Sequence, residues 1–174
     1  SEIPMDNLSE QARAVVVGAA GGIGAALVTA LAADTRVARV DALSRRPIAA
    51  ADKVVPGTID VTDERSIEAA VAGLGEGPLD LVLVTSGVLH DAAAGLRPEK
   101  TWRHLDPAAL GRAFAVNAIG PALVAKHLLP RLRRDRKAIF AALSARVGSI
   151  EDNHLGGWYG YRASKAALNQ LIRT

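Results

Sequence analysis

A short apolar run, Ala14-Val15-Val16-Val17, leads directly into Gly18-Ala19-Ala20-Gly21-Gly22-Ile23-Gly24 and then into an alanine-rich window from Ile23 to Ala33. This strand, glycine turn and helix restrict the fold more than any other feature of the chain. Glycines let the backbone turn sharply and approach another group closely. A helix that starts just beyond such a turn gathers unpaired N–H groups that suit an anion such as a pyrophosphate. Gly18, Gly22 and Gly24 have the spacing G-x-x-x-G-x-G, and the turn alone is also compatible with a tight connection that binds nothing.

The same alternation of short apolar runs and longer helical windows continues along the chain. Strands are expected at Val37 to Leu43, Lys53 to Val55, Leu79 to Val84 and Ala138 to Leu143. The continuous apolar run of the fourth strand suits burial on both faces. Asp63 to Ala72 reads as a helix capped by Thr62 or Asp63, with Ile67, Ala70, Val71 and Leu74 on one face. A long helix starts at Asp106-Pro107 and runs through Leu110, Phe114, Asn117, Leu123 and His127 toward Leu132, with Pro121 and Pro130 able to bend or end it. Strands alternating with helices imply a doubly wound parallel α/β sheet. The link from Ser44 to Asp52 is short for a parallel crossover, so a degenerate helix is expected there.

A chain of 174 residues, 49% hydrophobic and 22% charged, suffices for one domain around one core, here residues 1–174. Without cysteine it has no disulfide framework, thiolate metal site, iron–sulfur cluster or thiol nucleophile. His104, His127 and His154 are scattered, and no metal-ligand spacing occurs. Residues 1–11 lack the basic flank and apolar run of a signal peptide, and no apolar run is long enough to read as a membrane span, so a cytoplasmic protein is expected. The net charge of +3 is concentrated in Arg131, Arg133, Arg134, Arg136 and Lys137. With no aromatic residues among them to stack on bases, this cluster reads as the solvated basic end of a helix and not as a nucleic-acid patch.

Tyr161 and Lys165 lie four residues apart in a helical window from Tyr161 to Ile172 and so share one face. A neighbouring ammonium favours the phenolate and brings a tyrosine into the range of acid–base work at neutral pH. A surface lysine on an amphipathic helix has the same spacing.

Together, the Gly18 to Gly24 turn, Asp60-Val61 after the third strand, Asn117 in the long helix and the Tyr161 and Lys165 pair resemble the short-chain dehydrogenase/reductase family. Leu143-Ser144-Ala145-Arg146-Val147-Gly148-Ser149-Ile150, followed by Asp152-Asn153, Gly156-Gly157 and Tyr161, is similar to its C-factor and sniffer-like carbonyl reductase branch. The resemblance implies a Rossmann-type fold and NAD(P)-dependent hydride transfer to an aldehyde, ketone or quinone. It implies that Gly18, Gly22, Ile23 and Gly24 receive the cofactor's phosphates, that Asp60 and Val61 meet its adenine, and that Gly87 allows close approach. Tyr161 would act as proton donor, Lys165 would assist it and hold a ribose, and Asn117 would anchor a relay water. A homodimer or homotetramer is compatible with it.

Three departures stand out. The position expected to hold a carbonyl-polarising serine is Ala145, which leaves Ser144 one residue earlier, or Ser149; adjacent strand residues face opposite ways, so Ser144 serves only where regular strand geometry has ended. Val84-Thr85-Ser86-Gly87 stands where the family often has Asn-Asn-Ala-Gly. The sequence stops at Thr174, inside the helix of Tyr161, whereas family members continue, so an incomplete C-terminal part is expected.

The second strand decides the expected cofactor. An acidic residue at its end binds the ribose hydroxyls of NAD, while a basic residue there pairs with the 2′-phosphate of NADP. Asp41 falls inside the strand and Ser44-Arg45-Arg46 at its end, which favours NADP(H) over NAD(H) through Ser44 and Arg45. The departures also admit a catalytically weak dinucleotide-binding signalling or interaction protein.

Overall fold

In the computed structural model, residues 10–89, 91 and 96–174 are described. The signal-peptide reading of the N-terminus therefore rests almost wholly on residues outside that set. Five strands, β1 (Ala12–Val17), β2 (Val37–Ser44), β3 (Val54–Thr58), β4 (Leu81–Val84) and β5 (Ile139–Ala142), form one parallel sheet in the order β3-β2-β1-β4-β5. Among the described residues the α-helices that accompany it are α1 (Gly22–Ala33), α2 (Glu64–Gly73), α3 (Pro107–Phe114), α4 (Gly120–Leu128) and α5 (Tyr159–Arg173).

Alternation along β1 builds two cores. Ala14 and Val16 face Val28 and Leu31 of α1, while Val15 and Val17 face the side of Ile67, Leu74, Val124 and Leu128. Helices on both faces require strands apolar on both, which is why β1 and β4 read as continuous apolar runs. The expected doubly wound α/β sheet is therefore present, with the order reversing between β1 and β4. At such a reversal the loops leaving the two strands diverge and open a crevice at their carboxyl ends.

Residues 45–53 form no helix, contrary to expectation. They hold bends and a single antiparallel bridge between Ala51 and Val54 before β3 begins. The connection between these two neighbouring strands, β2 and β3, is made by irregular chain, and Val40 still pairs with Val54 in parallel register.

The long helix continues past Pro121 but changes pitch ahead of it. Ala115–Ile119 is a π turn, with Gly120 N donating to Ala115 O, and a 3-10 turn at Leu129–Arg131 ends the run. A proline cannot satisfy the carbonyl four residues back, here that of Asn117, and a widened turn absorbs the mismatch. Pro107–Arg131 is long and apolar enough to cross a membrane by composition, but Val124 and Leu128 are fully buried in the core beside the sheet.

The arginine cluster is not simply a solvated helix end. Arg133 and Arg136 donate to the buried carboxylate of Asp80, and Arg131 donates to the carbonyls of Val71, Gly75 and Gly77 at the end of α2. The buried Asp80 carboxylate draws Arg133 and Arg136 inward, while Arg131 lies across the exposed turn that follows α2.

Candidate cofactor cavity and Tyr161 centre

Gly18 leaves β1 with φ +90°, and its N–H and that of Ala19 both donate to Leu43 O, at 2.8 and 3.0 Å. A side chain has no room there: a Cβ on Gly18 would lie 2.6 Å from Thr85 Oγ1 and 2.9 Å from Ser86 N. Thr85 fastens the same place by donating its hydroxyl to Val17 O at 2.8 Å. A Cβ on Gly24 would collide with the Gly18 carbonyl, whereas one on Gly22 would meet nothing within 4 Å. Gly18 and Gly24 thus pack α1 onto the turn, and Gly22 leaves open space. Gly21 caps α1 without a side-chain oxygen, so the helix's positive end carries no internal counter-charge.

In front of this turn lies a cavity of about 760 Å³, bounded by the ends of β1, β2 and β4 and by the loop after β3. Gly18, Ser44, Arg45, Asp60, Val61 and Gly87 from the sequence reading all line it. Gly22, Ile23 and Gly24 are not part of its wall, and Ile23 is 61% exposed. Ser44 lies at the end of β2, where its hydroxyl donates to Arg46 O at 2.6 Å. Asp41 is withdrawn from the cavity: it is buried and held by Arg39 at 2.7 Å, with Arg13 at 3.9 Å. Asp60 accepts from the hydroxyl and the N–H of Thr62, which hold its carboxyl below the usual range, with Arg45 and Arg112 adding to the effect.

Arg112, which the sequence reading did not single out, also lines the cavity, as do Ala20 of the glycine turn and Ser86 of the segment that departs from the family pattern. Arg112 and Val116 reach it from one face of the long helix at a spacing of four, a signal that was available. Ser86 Oγ is buried and has no hydrogen-bond partner among the described residues.

At the other end of Gly87, α5 brings up its functional pair. A Cβ on Gly87 would lie 3.2 Å from Lys165 Nζ and 3.5 Å from Asn117 Oδ1. Lys165 is 3% exposed, and its ammonium donates to Leu143 O at 2.9 Å and lies 5.8 Å from the centre of the Tyr161 ring. Burial pushes its pKa down from the ordinary lysine value. Asn117, fully buried in the π turn, clasps the backbone of Val88, accepting from its N–H at 2.7 Å and donating to its carbonyl at 2.9 Å. The same amide donates to Ser164 Oγ, which in turn donates to Tyr161 O, both at 3.0 Å. Ser164, buried and unremarked in the sequence, thus joins the π turn to α5.

Ser144 lies two residues beyond the end of β5, so it is outside regular strand geometry, and it is exposed. Among the described residues no hydrogen bond joins it to Tyr161 or ties it to the backbone. It directly follows Leu143, whose carbonyl holds Lys165.

Residues 12–174 match the family model described as short chain dehydrogenase. A protein of Myxococcus xanthus named C-signal is 39% identical over 101 residues, 56% of this chain and 55% of that protein. Among solved structures, Sniffer of Caenorhabditis elegans superposes with a TM-score of 0.81 at 28% identity, over 95% of this chain and 78% of that one. The NADPH-bound carbonyl reductase from chicken fatty liver gives 0.79 at 28%, over 96% and 71%. The chain spans about half the length of the first curated relatives it matches.

Proposed function

The chain belongs to the short chain dehydrogenase family, and on that footing we propose that it binds NADP(H) and reduces the carbonyl of an aldehyde, ketone or quinone, with Tyr161 as proton donor. The residues present suit such a dinucleotide. The uncapped positive end of α1 and the open space at Gly22 suit a pyrophosphate. Arg45 at the mouth of β2, with Asp41 already neutralised by arginine, suits a 2′-phosphate better than bare ribose hydroxyls. The NADPH carried by the chicken relative supports the same choice. When bound, the reduced nicotinamide supplies the hydride that adds to the carbonyl carbon.

The chain's own residues handle the proton. Tyr161 gives its hydroxyl proton to the carbonyl oxygen as that oxygen gains charge, and the Lys165 ammonium, fixed by Leu143 O, stabilises the charge left behind. Lys165 also reaches the Gly87 wall, where it can hold a ribose hydroxyl. Asn117, with both ends of its amide on Val88 and Ser164, fixes the wall and the helix relative to each other. Ser144 is the group we assign to polarise the carbonyl. A single observation carries this reading: a buried lysine beside a tyrosine ring opens onto the same glycine that walls the dinucleotide cavity.

Calorimetric titration of the chain with NADPH and NADH, followed by turnover assays of Tyr161→Phe, tests it. NADPH should bind more tightly, and Tyr161→Phe should lose about 100-fold or more in turnover with little change in NADPH affinity. Equal affinity for the two nucleotides removes Arg45 from cofactor choice, and unchanged turnover removes Tyr161 from the chemistry. The identity with C-signal favours one second reading, a catalytically weak nucleotide-binding signalling protein, which would bind NADPH yet consume none with any carbonyl offered.

A further inference from the structure

Glu99 is 6% exposed and takes no part in the cavity or the Tyr161 centre described above. It belongs to the segment ahead of α3, yet both its carboxylate oxygens lie 3.3 Å from Gly160 N, the second residue of α5, and accept from it. Its backbone carbonyl accepts from Trp158 N at 2.6 Å. Helix α5 needs help from elsewhere in the chain. Its N-cap is Trp158, in the left-handed conformation at φ +54° and with no side-chain oxygen to offer, so the Gly160 donor has no cap from its own helix end. A carboxylate at this end also meets the positive pole of the helix.

The arrangement has little freedom to shift. A Cβ on Gly160 would lie 2.9 Å from Glu99 Oε1 and 3.3 Å from Leu110 of α3, and a Cβ on Gly157 would lie 3.3 Å from Glu99 O. Tyr161 is the next residue. One turn later Lys165 is secured independently, by Leu143 O and by Gly148, where a Cβ would lie 2.9 Å from Lys165 Cβ.

We propose that Glu99 is a positioning residue: it fixes the first turn of α5 and thereby the direction in which Tyr161 presents its hydroxyl. This rests on the reading of Tyr161 as proton donor. Because Lys165 has its own anchors, releasing Glu99 disturbs proton transfer more than cofactor binding, a separation that general loss of structure does not produce.

The test compares Glu99→Ala, Glu99→Gln and Tyr161→Phe in the whole chain, with NADPH titrated calorimetrically, thermal melts recorded, and NADPH oxidation followed with the quinone menadione. Glu99→Ala should lower kcat by about 10-fold or more while NADPH affinity stays within about threefold, since misplacing a reacting group by a fraction of an ångström costs rate before it costs binding. Glu99→Gln still offers an oxygen to Gly160 N and should restore kcat to within about threefold of wild type. The proposal is overturned if Glu99→Ala retains kcat within about twofold, or if both variants lose kcat, NADPH affinity and melting temperature together. Tyr161→Phe separates the two ideas. If it is inactive while Glu99→Ala is unaffected, only the role of Glu99 fails; if it turns over normally, the reading of Tyr161 fails and takes this proposal with it.

Discussion

Among the glycines of the first turn, the same substitution should have opposite consequences two residues apart. Gly24 is needed for packing: its missing side chain is what lets α1 rest on the Gly18 carbonyl. Alanine there forces the helix off the turn, and Gly24→Ala should cost about 1–3 kcal/mol in a denaturant titration, as overpacked sites do. Gly22 faces open space, so Gly22→Ala should leave stability unchanged or raise it by up to about 1 kcal/mol through the better helix propensity of alanine. Its effect should appear in ligand binding, because the added methyl occupies room that a pyrophosphate would approach. Weakened NADPH binding by a fully stable Gly22→Ala is the expected pairing, and unimpaired binding would remove Gly22 from the cofactor site. Arg45 permits a second single-residue test: Arg45→Ala should weaken NADPH about 10-fold or more, the scale of one charge-assisted hydrogen bond, and leave NADH unchanged.

Helix α3 carries Arg112 to the cavity and lies against Gly160 of α5, so its start matters beyond its own eight residues. Asp106 caps it, accepting from Ala109 N at 2.8 Å, with Pro107 in the first turn. Asp106→Ala should lower stability by about 1 kcal/mol in chemical denaturation, a normal cost for a lost cap; a loss below a few tenths would mean that packing alone starts the helix. Such caps were legible in the sequence because their donors lie only a few residues away, as at Asp63, which accepts from Arg65 N. The end of β2 was legible too, since apolar alternation put Asp41 inside the strand and Ser44 at its mouth. The π turn was not, because Asn117 is tied to Val88, far away along the chain, and to Ser164 of α5. Glu99 escaped for the same reason: nothing near it in sequence indicates that it serves a helix starting at Tyr159. The helix expected within residues 45–53 failed because a general crossover rule was applied to a connection that irregular chain makes instead.

Across the whole molecule, the two ends of the sheet do different work. The carboxyl ends of β1, β2 and β4 open onto the cavity, while the amino ends are closed by one buried carboxylate, that of Asp80, 1% exposed. It accepts from Arg13 N, Arg133 Nε and Arg136 Nη2, each at 2.9 Å, while Asp80 N donates to Arg13 O and Asp80 O accepts from Ile139 N. This cluster joins β1, β4 and β5. Burial opposes ionisation of Asp80, but the Arg13 N–H and the Arg133 and Arg136 cations outweigh it and hold the carboxyl below its usual range. A carboxylate with a depressed folded-state pKa adds stability in full above its unfolded pKa and loses it as pH falls through the folded value. Asp80→Asn keeps the shape but not the charge, leaving two guanidinium groups facing an uncharged amide. At pH 7 it should destabilise the chain by about 3 kcal/mol, the lower end for a broken buried ion pair. The gap to wild type should narrow as pH falls below about 4, because wild type then gives up the charge that the variant never had. Urea titrations of both proteins across that range measure the gap; a constant difference would mean that Asp80 acts by shape and hydrogen bonding alone. NADPH affinity at pH 7 should be the same for both folded proteins, since Asp80 closes the opposite end of the strands from the cavity.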